Sequence, residues 1–307
     1  MSDLSIPDPA AKFPQPQALD IQHDTDPAED HGDARRIPHL GHAALFFTIA
    51  IFSFFACMAV SIAIYAATHP NANIFANPAS LPPGLVHLLG ASQIISYAVT
   101  FAISFAVFPL LWHRSFLNGI SWTWRAARLR WRQLVLFGIA LSFVAQLAEH
   151  LFKAPKETTD ILKLLDTPLS AWLTAFSGAI IAPIVEEIAF RGFLLPAFAT
   201  AYDWISLERT PAAYTRWRQT TSHTTPALVL AAVLSSAAFA GLHAGQLHSA
   251  YGAVIILFFV SLVLSAVRIR FNSVAASALV HVSYNGILFL IMAIATGGFR
   301  HLDKLTK

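Results

Sequence analysis

The chain has 307 residues, of which 56% are hydrophobic and only 12% charged, and its mean hydropathy of +0.58 is too apolar for a soluble domain of that length. Its single cysteine, Cys57, excludes an internal disulfide framework, so helix packing has to hold the fold. The formal charge of +3 does not indicate a nucleic-acid partner, because the arginines are spread between apolar stretches and read as topology signals.

Residues 1–38 are polar, proline-rich and acidic, with Asp24, Asp26, Glu29, Asp30 and Asp33 close together. That composition buries too little apolar surface to offset chain entropy, so a disordered cytoplasmic tail is expected. It does not resemble a secretory signal. Beyond it, a hydrocarbon core roughly 30 Å thick needs about 20 apolar residues per helix. Seven stretches meet that count: residues 41–67, 85–112, 134–152, 169–199, 226–247, 251–267 and 273–296. The fold expected is therefore all-α, a polytopic transmembrane bundle of seven to eight spans. The membrane domain occupies residues 39–299, followed by a short basic tail at 300–307. The fourth stretch is long enough to tilt or to break near Pro183 or Pro196, and a break would add the eighth element.

Arginine placement sets the orientation. Arg35 and Arg36 precede the first stretch, and Arg114, Arg125, Arg128, Arg130 and Arg132 separate the second from the third. Arg209, Arg216 and Arg218 follow the fourth, and Arg268 and Arg270 follow the sixth. All fall on one side if every stretch crosses, which places the N-terminus in the cytoplasm. The loop at 153–166 carries Glu157, Asp160 and Asp166 beside its lysines and is expected outside. Arg300, Lys304 and Lys307 run against the rule for seven crossings. The segment WTWRAARLRW at 122–131 suits a short helix anchored in the headgroup layer. Length and the absence of a transit-like leader favour a bacterial inner membrane.

Ionisable residues inside apolar helices are costly, roughly 2.5 to 3.5 kcal/mol each at the bilayer centre, so they mark places where protein or water supports them. The fourth stretch reads IIAPIVEEIAFRGFLLP and holds Glu186, Glu187 and Arg191. Glu187 and Arg191 are four apart on one helix face and can pair, either as a site element or as a structural clamp. Glu186 is turned about 100° away and has no local basic partner. The fifth stretch places Phe239 and His243 on one face among small residues, while His248 reads as an ordinary interface histidine. The seventh places His281 and Asn285 on one face, where an interhelical hydrogen bond is the simplest explanation for either alone.

Taken together these stretches supply a carboxylate, two imidazoles and an amide. A glutamate can act as general base, a histidine can share a proton or bind a metal, and an asparagine amide can stabilise an oxyanion. Glu186, His243 and His281 also match the ligand types of a hydrolytic zinc site, so Zn2+ is the candidate cofactor.

Glu186-Glu187-x-x-x-Arg191, Phe239-x-x-x-His243 and His281-x-x-x-Asn285, in this order, resemble the three motifs of the CPBP intramembrane proteases, the CAAX prenyl endopeptidase or Abi family. The resemblance covers about residues 169–290. It implies an intramembrane endopeptidase acting on a membrane-associated or lipidated peptide, with membrane lipids as surroundings and no nucleic-acid partner. It implies Glu186 as the water-activating base and His243 as its partner, with His281 and Asn285 binding metal or stabilising the oxyanion. Glu187 and Arg191 would support the site by pairing. HExxH, GxGD and GxSG signatures are absent from the sequence. Two alternatives stay open: a proton-coupled transporter, which predicts paired halves with broken helices, and a non-catalytic scaffold, which predicts indifference to loss of Glu186.

Overall fold

The structure is a computed structural model, and the residues described are 36–71, 81–151, 167–245 and 251–302. Most of the acidic tail, the loop at 153–166, His248 and the lysines of the basic tail lie outside them. The described residues are helical, with no strands. Helix α1 spans Leu40–Thr68 and α2 spans Pro83–Trp112, followed by the short α3 (Phe116–Gly119) and α4 (Trp124–Leu129). Helix α5 is Trp131–Leu151, and α6 is one helical run, Pro168–Ile205. Then come α7 (Pro211–Gln219), α8 (Thr225–Ala244), α9 (Tyr251–Phe271) and α10 (Val274–Ala295). Seven of these helices are long and apolar enough to cross a membrane: α1, α2, α5, α6, α8, α9 and α10.

Of the two alternatives for the fourth stretch the continuous helix is the one found, and no eighth span appears among the described residues. Helix α6 stays continuous for 38 residues by widening into π-helix at Ser177–Ile181 and Ile188–Leu194. Each widened turn meets a proline, Pro183 or Pro196, within two residues. A proline has no N–H and its ring crowds the carbonyl four residues back. The i→i+5 bonds Ala182 N–H to Ser177 O and Leu195 N–H to Phe190 O let the backbone pass both prolines without kinking apart.

Outer faces remain apolar, with Phe52, Leu110, Leu136, Val144, Phe259 and Ile294 exposed as a lipid-facing surface. Inner faces carry small residues. Ser142, Ser235, Ser261, Ser265 and Ser277 are fully buried, and they let backbones approach closely. Helix α5 approaches α10 closely, and a Cβ added at Gly138 would collide with the Val280 carbonyl oxygen.

The end of the bundle that carries Arg114 to Arg132 is built around aromatics. Phe193 of α6 stacks on Phe46 of α1 at 4.3 Å and lies 4.9 Å from Phe108 of α2, with Trp112 and Phe116 beside them. Helix α10 starts against the α4 segment: Val274 N–H donates to Ser121 O, and the Ser273 hydroxyl donates to Thr123 O at 2.6 Å. Trp124, Leu129 and Trp131 are exposed there, as an interfacial anchor requires.

Candidate active site

Helices α6, α8 and α10 bring the motif residues together. Glu187, between the two π turns, and Arg191, within the second, face inward, each with a side chain 0% exposed, and their atoms Oε1 and Nη1 are 2.8 Å apart. The other guanidinium nitrogen, Nη2, donates to both the carbonyl and the hydroxyl oxygen of Ser261 on α9, at 2.8 and 2.7 Å. Two buried charges on α6 are thus tied to α9, and such hydrogen bonding is the condition under which a buried pair persists. Phe239 is the floor of the cluster. Its ring lies 4.5 Å from the His243 ring, 6.0 Å from His281 and 5.2 Å from the Arg191 guanidinium carbon.

The two imidazoles are oriented by their Nδ1 atoms. His243, in the last turn of α8, donates from Nδ1 to the Phe239 carbonyl at 2.8 Å. His281 donates from Nδ1 to Glu187 Oε1 at 3.0 Å. A carbonyl and an ionised carboxylate accept and cannot donate, so both Nδ1 atoms carry a proton, and in the neutral form of each ring Nε2 is the bare nitrogen. Those Nε2 atoms converge on Glu186. His243 Nε2 lies 3.7 Å from Glu186 Oε1, and His281 Nε2 lies 3.7 Å from Glu186 Oε2.

The consequence is a cluster of acceptors. With both rings neutral, a carboxylate and two lone pairs meet at a distance too long for direct hydrogen bonds. A water molecule satisfies such a cluster by donating to the carboxylate and to an imidazole, and it becomes more nucleophilic in doing so. Glu186 and His243 are each 24% exposed at the side chain, whereas His281 is 4% and Glu187 0% exposed. Of the two adjacent glutamates only Glu186 is open to a substrate.

Asn285 stands one turn along α10 from His281. One of its amide N–H groups donates to the Gly178 carbonyl at 2.8 Å, at the first π turn. Gly178 admits no larger residue without displacing Phe289, since a Cβ there would lie 2.7 Å from that ring. Ser261 has no motif to mark it, and only its place as a small polar residue in an apolar helix pointed to an interhelical contact. Tyr97 of α2 was also missed. It hydrogen-bonds the Gln93 side chain and falls within electrostatic range of Glu186.

Residues 168–287 match the family described as type II CAAX prenyl endopeptidase Rce1-like. These residues form an Rce1-like domain. Helices α6 to α9 and the motif-bearing first half of α10 fall inside the Rce1-like domain, and α1 to α5 precede it. No curated protein and no solved structure matches the chain. The apolar spans and the Rce1-like domain together make this an integral membrane protein that carries a domain similar to CAAX-type endopeptidases.

The donor types in the Rce1-like domain suit zinc, and each imidazole has the Nδ1 anchor that metal-binding histidines usually have. As placed, however, no three His, Cys, Asp or Glu side chains among the described residues are grouped to hold a metal ion. The reaction derived below uses none.

Proposed function

We propose that this protein is an intramembrane endopeptidase that hydrolyses a peptide bond in a membrane-associated or lipidated peptide. The observation that carries the proposal is the half-open Glu186 carboxylate held between two imidazole nitrogens whose tautomers are fixed from behind. Glu186 takes a proton from the water as its oxygen adds to the scissile carbonyl. His243, nearest to Oε1, accepts or returns that proton as the amine departs. The second N–H of Asn285 is the donor to the oxygen on which negative charge develops, while His281, anchored on Glu187, accepts a hydrogen bond from the attacking water at Nε2. Glu187 and Arg191 hold His281 in register and take no part in bond making.

The depth of the site supports the substrate class. His281 is seven residues from Val274, so it lies about 10 Å along α10 from the α4 anchor. Arginines concentrate at that end, which the positive-inside rule assigns to the cytoplasm. A peptide tethered to the inner leaflet reaches that depth without crossing the bilayer. The host membrane we take to be a bacterial inner membrane. Labelling of single cysteines placed at residues 206–224 only from outside intact cells would reverse the orientation.

The test is to offer prenylated and unmodified peptides to the purified protein and to its Glu186→Ala and His243→Ala variants. Cleavage of the lipidated peptide that disappears in both variants supports the reading. Cleavage retained by both removes Glu186 and His243 from the mechanism, and no cleavage by the wild-type protein leaves the scaffold alternative.

A further inference from the structure

A second built region lies at the basic end, outside the cluster described above. Asp203, in the last turns of α6, accepts four hydrogen bonds: from Arg36 Nη1 (3.3 Å), His223 Nδ1 (2.8 Å), Thr224 N–H (3.3 Å) and the Thr224 hydroxyl (2.6 Å). The Arg36 side chain is 7% exposed, and its guanidinium carbon lies 3.9 Å from the centre of the Trp217 ring. Beside this hub opens a cavity of about 650 Å³ whose lining includes Arg36, Thr200, Trp204, Tyr214, Trp217 and Arg218.

Three observations fix what the cavity can take. Its wall holds two buried donors without partners, Nε of Arg36 and the hydroxyl of Thr200. Unpaired buried donors favour a ligand rich in acceptors. The local charge is positive, because Asp203 is consumed by Arg36 and its other donors while exposed Arg218 adds a further cation. Finally, Leu111, in the last turn of span α2, lines the cavity and is 45% exposed on the lipid-facing side. An anion that arrives with an apolar body can lie along that side, whereas a free ion gains nothing from it. Tryptophan and tyrosine at the rim suit the same headgroup level.

We propose that this cavity binds the phosphate of an anionic phospholipid, with its oxygens toward Arg36 and Thr200, its charge offset by Arg218 and its acyl chains running past Leu111 into the bilayer. The site is separate from the acid–histidine cluster, since Thr200 is 14 residues beyond Glu186 on α6, about 21 Å along the helix.

The experiment is native mass spectrometry of the full-length protein in detergent, titrated with phosphatidylglycerol, with phosphatidylcholine and with inorganic phosphate. The expected result is retained phosphatidylglycerol in preference to phosphatidylcholine. Arg218→Gln should weaken that binding roughly five-fold, the value of one interfacial cation, and Thr200→Val about three-fold, the value of one hydrogen bond. Arg36 is left intact because it anchors Asp203. Equal retention of both lipids, or phosphatidylglycerol binding unchanged in both variants, overturns the site. Displacement of the lipid by inorganic phosphate at equal concentration overturns the lipid assignment and leaves a free-anion site.

Discussion

Two adjacent glutamates in α6 should respond to substitution in opposite ways. Glu187→Ala removes the only carboxylate paired to a fully buried Arg191, whose remaining anchor is Ser261. Leaving one member of a buried pair unmatched costs about 3–5 kcal/mol. Glu187→Gln keeps an oxygen to accept from Arg191 and His281 but gives up its charge. Charged hydrogen bonds are roughly twice as strong as neutral ones, so the loss should be smaller, about 1–2 kcal/mol. The double variant Glu187→Met with Arg191→Met removes both charges and should return to within about 1 kcal/mol of wild type, since apolar residues of similar volume replace buried pairs well. Glu186→Ala, at a half-open carboxylate with no such partner, should leave stability nearly unchanged. Unfolding in detergent followed by tryptophan fluorescence orders the four proteins. Glu187→Ala as stable as wild type, or a double variant as unstable as the single one, would refute the reasoning.

Three further outcomes follow. Gly138→Ala forces a methyl against the Val280 carbonyl oxygen, next to His281, and overpacking of that kind costs about 1–3 kcal/mol; a thermal transition at the wild-type temperature would show that α5 and α10 yield there. Burial holds His223 below the ordinary imidazole value of 6.5, despite the opposing pull of Asp203, with Arg36 and Arg268 adding to the depression. The unfolded chain therefore binds the proton first, and stability should fall as pH drops through 6.5 and level off below the folded value; unfolding curves of His223→Gln should fall less over that window. Dialysis against a chelator should leave peptide cleavage unchanged, and a loss restored by zinc would make Glu186 a ligand in place of a base.

Much of the architecture is legible in the sequence because bilayer thickness sets a length that apolar runs either meet or miss. Residues such as Glu186, Glu187, Arg191 and His281 stand out for the related reason that charge inside an apolar helix needs support. Pairing at four-residue spacing foretold the Glu187–Arg191 contact, and the 100° step foretold that Glu186 turns elsewhere. What the sequence conceals is how α6 survives its prolines. Pro183 and Pro196 read as breaks under a 3.6-residue period, and only the carbonyls of Ser177 and Phe190 accepting from five residues ahead reveal continuous helix. The bond from Asn285 to Gly178 joins residues 107 apart, and the Arg36–Asp203 ion pair joins residues 167 apart. Local spacing carries no signal for either.

The central claim is that Glu186 acts as the base on a water shared with His243 and His281. Its most direct test is single-turnover cleavage of a lipidated peptide by Glu186→Gln, an isosteric change, measured on a preparation whose thermal transition matches wild type. Loss of a general base predicts a rate lower by about 10²–10⁴-fold with peptide binding preserved. A matched, folded variant that cleaves at the wild-type rate would contradict the account.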